Sequence, residues 1–144
     1  MINLKTKDWT IENVETVFFD KDGTFVDLQF FWGKMTELRA QEVIKRYNLN
    51  ENLLDKLCLF LCYSRNCSKM LPNGITALYS RAKIIEIFSE NLKELNVFAT
   101  YMELEDIFDY VSEVFYENMC EYLKPIEPAI NLIKKLKEKI SSLQ

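Results

Sequence analysis

The sequence predicts a predominantly α-helical chain with one buried β-strand near its start, at residues 14–20. Apolar residues recur every three or four positions through most of residues 31–123, which is the period of an amphipathic helix. The run from Val14 to Phe19 is instead rich in Val and Phe, as strands buried on both faces are. We therefore expect one core strand followed by a large helical region.

The predicted strand ends in a short acidic sequence, Asp20-Lys21-Asp22-Gly23-Thr24. Side chains alternate along a strand, so Asp20 and Asp22 can face one space while Lys21 points elsewhere. Two carboxylates held that close repel each other unless a cation or a shared proton intervenes, which indicates a Mg²⁺ site or a divided acid–base role. Gly23 allows a ligand to approach the backbone closely, and Thr24 adds a hydroxyl.

Two other interpretations of this sequence remain to be weighed. Asp and Gly favour turns for local reasons, so the acidic sequence could be a simple turn. An EF-hand calcium loop also contains Asp-x-Asp-Gly, with the glycine at its sixth position. That alignment puts Phe18 at the first ligand position and Gln29 at the twelfth, where Asp and Glu are required. The calcium-loop interpretation is therefore rejected, because neither its first nor its last ligand position holds a suitable residue.

The segment Val17–Asp27 resembles the first signature motif of the haloacid dehalogenase (HAD) superfamily, a hydrophobic strand followed by Asp-x-Asp-Gly-Thr. The resemblance implies an α/β parent fold with a Rossmann-like core, most of it missing from this chain, and a phosphoglycolate phosphatase-like hydrolase with a helical (type C1) cap. It makes Asp20 the nucleophile and Asp22 the general acid and base. It also implies Mg²⁺ held by the Asp20 carboxylate and the Asp22 backbone carbonyl, with Gly23 and Thr24 near the substrate phosphate.

The same resemblance suggests three regions. Residues 1–28 would begin the catalytic core, residues 29–123 would form the helical cap, and residues 124–144 would return to the core. Residues 1–13 are expected to lie across the surface of the domain without a chemical role.

Four helices are expected in the cap region. The first runs from Phe31 to about Tyr47, and the second follows Asn50 as its N-cap. Its apolar stripe consists of Leu54, Leu57, Cys58 and Leu61, with Cys62 expected on the same face.

The other two helices follow a predicted loop over residues 64–74, which contains the turn signal Pro-Asn-Gly. The third spans Thr76 to about Leu95. The fourth opens with a capping box formed by Thr100 and Glu103. Its inward face is predicted to contain Leu104, Ile107, Phe108, Val111 and Phe115.

Pro125 and Pro128 interrupt the helical pattern, because proline cannot donate a backbone hydrogen bond and restrains the residue before it. The helix predicted after them turns its apolar residues inward: Ala129, Leu132, Ile133 and Leu136. In the HAD superfamily such a helix leads to a strand ending in a phosphate-binding Ser or Thr. No apolar strand precedes Ser141 or Ser142, so neither is accepted in that role. We expect the chain to be the N-terminal part of a longer enzyme.

Composition restricts the classes of function. The net charge of −4 and a pI near 5.0 argue against nucleic-acid binding, and the absence of histidine removes imidazole-based catalysis. Cys58, Cys62, Cys67 and Cys120 lack Cys-x-x-Cys spacing and are expected to be reduced. No membrane-spanning run or signal peptide is recognised, so the expected location is the cytoplasm.

The resemblance to the HAD superfamily implies a Mg²⁺-dependent phosphatase that hydrolyses a small phosphorylated metabolite through an aspartyl phosphate, with a phosphomutase indistinguishable from it. Alone, the chain is expected to be weakly active or inactive. The expected partners are the metabolite and either the missing C-terminal half or a second copy. The alternative is a non-catalytic helical interaction module that retains a relic of the motif.

Overall fold

The computed structural model describes residues 2–141, and their chain divides into two compact units. The terminal unit consists of residues 2–27 and 124–141, and the helical unit consists of Leu28–Leu123. Residues 142–144, including Ser142, lie outside the described part of the chain.

The terminal unit begins with an antiparallel hairpin that the sequence did not predict. Strand β1 (Ile2–Lys5) pairs with β2 (Thr10–Val14) in the register Leu4 opposite Ile11. Thr6 closes the turn, because its backbone N–H donates to the Trp9 carbonyl over 2.9 Å. Each strand is short and mixes polar with apolar residues, so neither has an apolar pattern that would predict it from the sequence. The two strands are stabilised by pairing with each other.

The core strand predicted at 14–20 does not form. Val14 ends β2, and residues 15–20 have no regular secondary structure. Phe18 is 92% exposed, so the run is not a buried one. Over the described residues the only sheets are two antiparallel pairs, and the Rossmann-like sheet is not seen. A central strand needs neighbours on both sides for its backbone groups, and residues 2–141 supply none for this segment.

The helical unit contains six of the seven described α-helices. They are α1 (Leu28–Arg46), α2 (Leu54–Phe60), α3 (Ile75–Leu78), α4 (Arg81–Leu92), α5 (Tyr101–Glu117) and α6 (Met119–Tyr122). Helix α1 packs against α2 and α5, and α4 packs against α5. Phe88, Phe108 and Phe115 are fully buried between them. Burial of such side chains is worth about 1.5–3 kcal/mol each, which makes this unit the core of the described chain.

Of the two predicted caps, the capping box of α5 is confirmed, whereas Asn50 caps a turn that precedes α2 and not α2 itself, whose N-cap is Leu53. Asn50 caps a 3₁₀ turn (Glu51–Leu53) that leads into α2, and its side chain accepts from the Asn52 N–H. Thr100 and Glu103 form the capping box of α5, with every residue of the predicted inward face buried.

Three predictions in this unit were wrong. The loop over 64–74 contains a hairpin, in which β3 (Tyr63–Ser64) pairs with β4 (Lys69–Met70). The single helix predicted from Thr76 is divided, because Tyr79 is extended and Ser80 caps a new helix. Cys62 lies beyond the end of α2 with a φ of 61°, so it does not share the face of Cys58.

The last helix, α7 (Glu127–Ser141), lies in the terminal unit. Leu132 and Ile133 were predicted to face inward but are 47% and 36% exposed. The described part of this unit offers no second helix or covering sheet for them. No helix described in residues 2–141 combines the length and the apolar character needed to cross a bilayer.

Candidate functional site

The four predicted site residues lie in one tight turn, which we call the acidic turn (residues 20–27). The Phe25 N–H donates to the Lys21 carbonyl over 2.9 Å, and the Gly23 N–H donates to the Val26 carbonyl over 3.1 Å. Gly23 has a φ of 80°, in the left-handed region that favours glycine. The glycine is therefore required by the shape of the backbone.

The turn brings Thr24 next to Asp20. The Thr24 hydroxyl donates to Oδ2 of Asp20 over 3.4 Å, which is a long hydrogen bond. Asp20 itself is exposed, so its other oxygen is open to solvent. This contact restricts the orientation of the carboxylate without covering it.

Asp22 points to solvent on the same turn. Its Oδ1 lies 3.4 Å from Nζ of Lys21, and both side chains are well exposed, at 60% and 76%. A surface ion pair of this kind contributes little to stability, so Asp22 is free to exchange it for another partner. The structure thus presents two accessible carboxylates and one hydroxyl within five consecutive residues.

The acidic turn is fastened at both ends. The rings of Phe19 and Phe25 lie 5.4 Å apart across it. Val26 forms one bridge with Asp22 and a second, antiparallel bridge with Pro125. These contacts hold a segment that has no strand partner in a defined shape.

The chain returning from the helical unit supports the far end of the turn. The Asp27 N–H donates to the Lys124 carbonyl over 2.9 Å, and the Ile126 N–H donates to the Phe25 carbonyl over 2.8 Å. Nζ of Lys124 also lies 3.8 Å from Oδ2 of Asp27. The entry and exit segments of the terminal unit are therefore joined side by side.

The donor atoms of the turn suit a hard cation. Mg²⁺ prefers oxygen ligands and is commonly held by one or two carboxylates, with water or phosphate completing its shell. Asp20 and Asp22 offer such oxygens. Within residues 2–141 no cluster of three or more acidic, cysteine or histidine side chains is arranged to hold a metal ion. The turn therefore offers oxygen donors of the kind that Mg²⁺ prefers, while the described residues add no third acidic ligand to them.

Cys58 is not a candidate nucleophile. All four cysteines are free, as predicted. Cys58 is fully buried, and burial, followed by the nearby charge of Glu37, raises the pKa of its thiol to about 12. A thiol that keeps its proton at neutral pH is a poor nucleophile.

One unusual residue was missed from the sequence. Arg39 is only 7% exposed and lies on the inward face of α1. It occupies a position where the helical period calls for an apolar residue, between Met35 and Val43. That break in the apolar stripe was the available signal.

No protein-family model, curated protein or solved structure matches the chain. Its function therefore has to be inferred from the chemistry of the acidic turn and the helical unit.

Proposed function

We propose that this chain carries the nucleophile and the cap of a Mg²⁺-dependent phosphatase of the HAD type, acting on a small phosphorylated metabolite. The observation that supports it is the acidic turn, where Gly23 takes the left-handed conformation and the Thr24 hydroxyl contacts an exposed Asp20. The accessible carboxylates of Asp20 and Asp22 offer oxygen ligands of the kind that Mg²⁺ prefers.

In the first step the Asp20 carboxylate attacks the phosphorus atom of the substrate. A bond forms between a carboxylate oxygen and phosphorus while the bond from phosphorus to the leaving oxygen breaks, which gives an aspartyl phosphate. Asp22 donates a proton to the leaving oxygen, which departs as an alcohol. The hydrogen bond from Thr24 limits the rotation of Asp20 and favours its approach in line.

In the second step water hydrolyses the aspartyl phosphate. Asp22, now ionised, takes a proton from the water as it attacks phosphorus, and the Asp20 carboxylate is released. Mg²⁺ held by the Asp20 carboxylate and the Asp22 backbone carbonyl would offset the negative charge of the carboxylates and the phosphate. The step needs no imidazole, and the chain contains no histidine.

The helical unit would act as the cap in this proposal. In the HAD superfamily such a cap favours small phosphorylated metabolites, for example phosphoglycolate or a sugar phosphate, and excludes bulky ones. A phosphomutase would use the same nucleophile and acid, since the two reactions differ only in what accepts the phosphoryl group.

Turnover by this chain alone should be very low. Lys21 and Lys124 are each near a carboxylate already, and residues 2–141 supply no third acidic ligand to the turn. Loss of one preorganised electrostatic contact costs about 10² to 10³ in rate, so several missing contacts leave little activity. In this proposal the positively charged group that would bind the substrate phosphate comes from a segment beyond the described residues or from a second chain.

The first test measures metal binding. Mg²⁺ should raise the melting temperature of the wild-type chain, and Asp20→Asn, which removes the carboxylate ligand, should abolish that shift. Asp8→Asn is the matched control, because Asp8 is an exposed aspartate in the β1–β2 turn of the same unit. An unchanged Mg²⁺ response in Asp20→Asn would refute the assignment of the turn.

The second test concerns the nucleophile. When the sequence is supplied with the missing motifs in a longer chain, Mg²⁺-dependent hydrolysis of an aryl phosphate should disappear in Asp20→Asn. Activity that survives this change would rule out Asp20 as the nucleophile.

An interaction module is the second candidate, favoured by the apolar residues that the terminal unit exposes. Phe18, Leu132 and Ile133 would then be covered by a partner. The module predicts a stable oligomer or complex in light scattering and no effect of Mg²⁺. The phosphatase proposal instead predicts that Mg²⁺ raises the melting temperature.

A further inference from the structure

Arg39 places a cation inside the core of the helical unit. It lies on α1 among Met35, Thr36 and Val43, all of which are buried, and is itself only 7% exposed. Charged side chains are almost never buried unless they are paired. The residue therefore requires an explanation other than packing.

The polar atoms of this side chain are incompletely satisfied. Nε of Arg39 is buried and has no hydrogen-bond partner among the described residues. The guanidinium carbon lies 4.1 Å from the centroid of the Phe108 ring, which is close enough for a cation–π contact. The ring face attracts the positive charge but offers no oxygen or nitrogen to accept the Nε proton.

A second arginine adds positive charge instead of offsetting it. The guanidinium carbon of Arg81 lies 5.8 Å from the same Phe108 ring. Arg81 has its own acceptors, Oδ1 of Asp109 at 2.7 Å and the Glu105 carbonyl at 3.3 Å. The Asp109 carboxylate of α5 is thus already paired with Arg81.

The electrostatic environment of Arg39 agrees with this geometry. Burial, and then the charge of Arg81, lower its pKa to about 10, while Tyr116 acts in the opposite direction. No carboxylate of the described chain is among the groups that shift it. The charge of Arg39 is therefore not balanced by a carboxylate of the described chain, whereas Arg81 is paired with Asp109.

We propose that Arg39 and Arg81 bind an oxyanion, the phosphate or carboxylate group of a small ligand, within the helical unit. A guanidinium presents two parallel N–H groups that match both kinds of oxyanion. A buried water could accept the Nε proton, but it would leave the charge of Arg39 unbalanced. The inference does not depend on the function proposed for the acidic turn.

The site borders solvent on the side of Arg81. The Arg81 side chain is 42% exposed and Tyr116 is 59% exposed. In this proposal an anion approaches from the side of Arg81, where it meets the more exposed of the two guanidinium groups first. The ligand group must be small, because Arg39 has little free surface.

The direct test observes the Arg39 Nε–H by ¹H–¹⁵N NMR in the wild-type chain. Sodium phosphate and sodium acetate are titrated separately at constant ionic strength. Saturable movement of the Arg39 resonance with either anion supports the site, and the anion that saturates first identifies the preferred group. A resonance unmoved by both, up to the concentration at which exposed arginines begin to shift, overturns the proposal.

Thermal unfolding supplies a second readout. Arg39→Met should raise the melting temperature in anion-free buffer, because it removes an unpaired buried charge, and should abolish the stabilisation by the binding anion. Arg65→Met is the matched control, since Arg65 is a more exposed arginine paired with Glu37 and Asp55. An equal anion response in wild type and Arg39→Met contradicts the site. If Arg39→Met fails to fold, the wild-type NMR titration still decides.

Discussion

At the scale of single residues, Gly33 shows how closely the helical unit is packed. A Cβ built on Gly33 would lie 2.6 Å from Cε2 of Tyr63 and 2.8 Å from its hydroxyl oxygen. Real Cβ atoms do not approach so closely, so the Tyr63 ring occupies the space that a side chain would need. Glycine in the middle of α1 is explained by this contact and not by helix propensity.

Gly33→Ala should therefore destabilise the protein. Alanine gains up to ~1 kcal/mol in helix propensity, but overpacking a core contact costs about 1–3 kcal/mol, and the second effect should dominate. Urea unfolding monitored by circular dichroism measures the difference. In a Tyr63→Leu background the same substitution should become neutral or stabilising. A more stable single variant would contradict the contact.

Cys58 gives a prediction about pH. Because burial raises its pKa to about 12 from 9.0, the unfolded state loses the thiol proton first as the pH rises. Its contribution to stability is complete below pH 9.0 and is lost as the pH approaches 12. The free energy of unfolding should fall over this range, and it should fall less in Cys58→Ala.

Reactivity provides an independent measurement of the same residue. A thiol-reactive disulfide reagent should modify the exposed Cys67 and Cys120 in the native protein. Cys58 should react only after denaturation. Peptide mapping of the labelled cysteines distinguishes the three, and fast labelling of native Cys58 would show that it is not buried.

At the scale of elements, the capping box of α5 is the most clearly specified helix start. The Glu103 carboxylate accepts from the Thr100 N–H over 2.8 Å and from its hydroxyl over 2.7 Å. The Glu103 N–H in turn donates to the Thr100 hydroxyl oxygen over 3.3 Å. These bonds lower the pKa of Glu103, so its contribution to stability is present at neutral pH and disappears as the pH falls through that lowered pKa.

Thr100→Ala should cost about 1 kcal/mol of stability, because it leaves an N-terminal N–H of α5 without its side-chain acceptor. Ser112→Ala is the control within the same helix. The Ser112 hydroxyl only donates back to the Phe108 carbonyl, a bond that does not strengthen a helix, so this change should be close to neutral. Equal losses in the two variants would show that the cap is not important.

The elements also show what sequence could and could not predict. The cap of α5 and the inward faces of α2 and α5 were predicted because they depend on residues within one or two turns. The division between α3 and α4 was missed because Leu78 and Ile84 continue an apolar pattern across it. Ser80, whose side chain accepts from the Lys83 N–H, was the overlooked cap.

The strand expected at 14–20 failed for a different reason. Apolar composition shows that a segment could be buried in a sheet, but pairing requires partner strands elsewhere. The acidic turn was located correctly from its Asp and Gly residues, whereas its hydrogen bonds to Lys124 and Ile126 are between segments far apart in sequence. Such contacts leave no local pattern.

At the scale of the molecule, the two units differ in what holds them together. Every buried apolar side chain found in the described residues lies between Met35 and Phe115, inside the helical unit. The terminal unit is held by the β1–β2 hairpin and by the bridges of Val26. Several of its apolar side chains are exposed and contribute no core. Stability should therefore be concentrated in one unit.

The isolated fragment 28–123 should fold by itself. It contains the whole described core, so we expect native-like helical circular dichroism and one cooperative urea transition with a midpoint near that of the complete chain. A Phe108→Ala fragment is the control and should lose about 3–5 kcal/mol. A gradual, non-cooperative transition of the unmodified fragment would disprove the independence of this unit.

The pairing of Val26 with Pro125, and of Asp27 with Lys124, has a consequence for evolution and for engineering. The chain leaves and re-enters the terminal unit at neighbouring points. A gene rearrangement could therefore delete, duplicate or exchange everything between these points while the flanking backbone keeps its path. In the laboratory the same geometry makes this junction a natural place to graft a foreign domain.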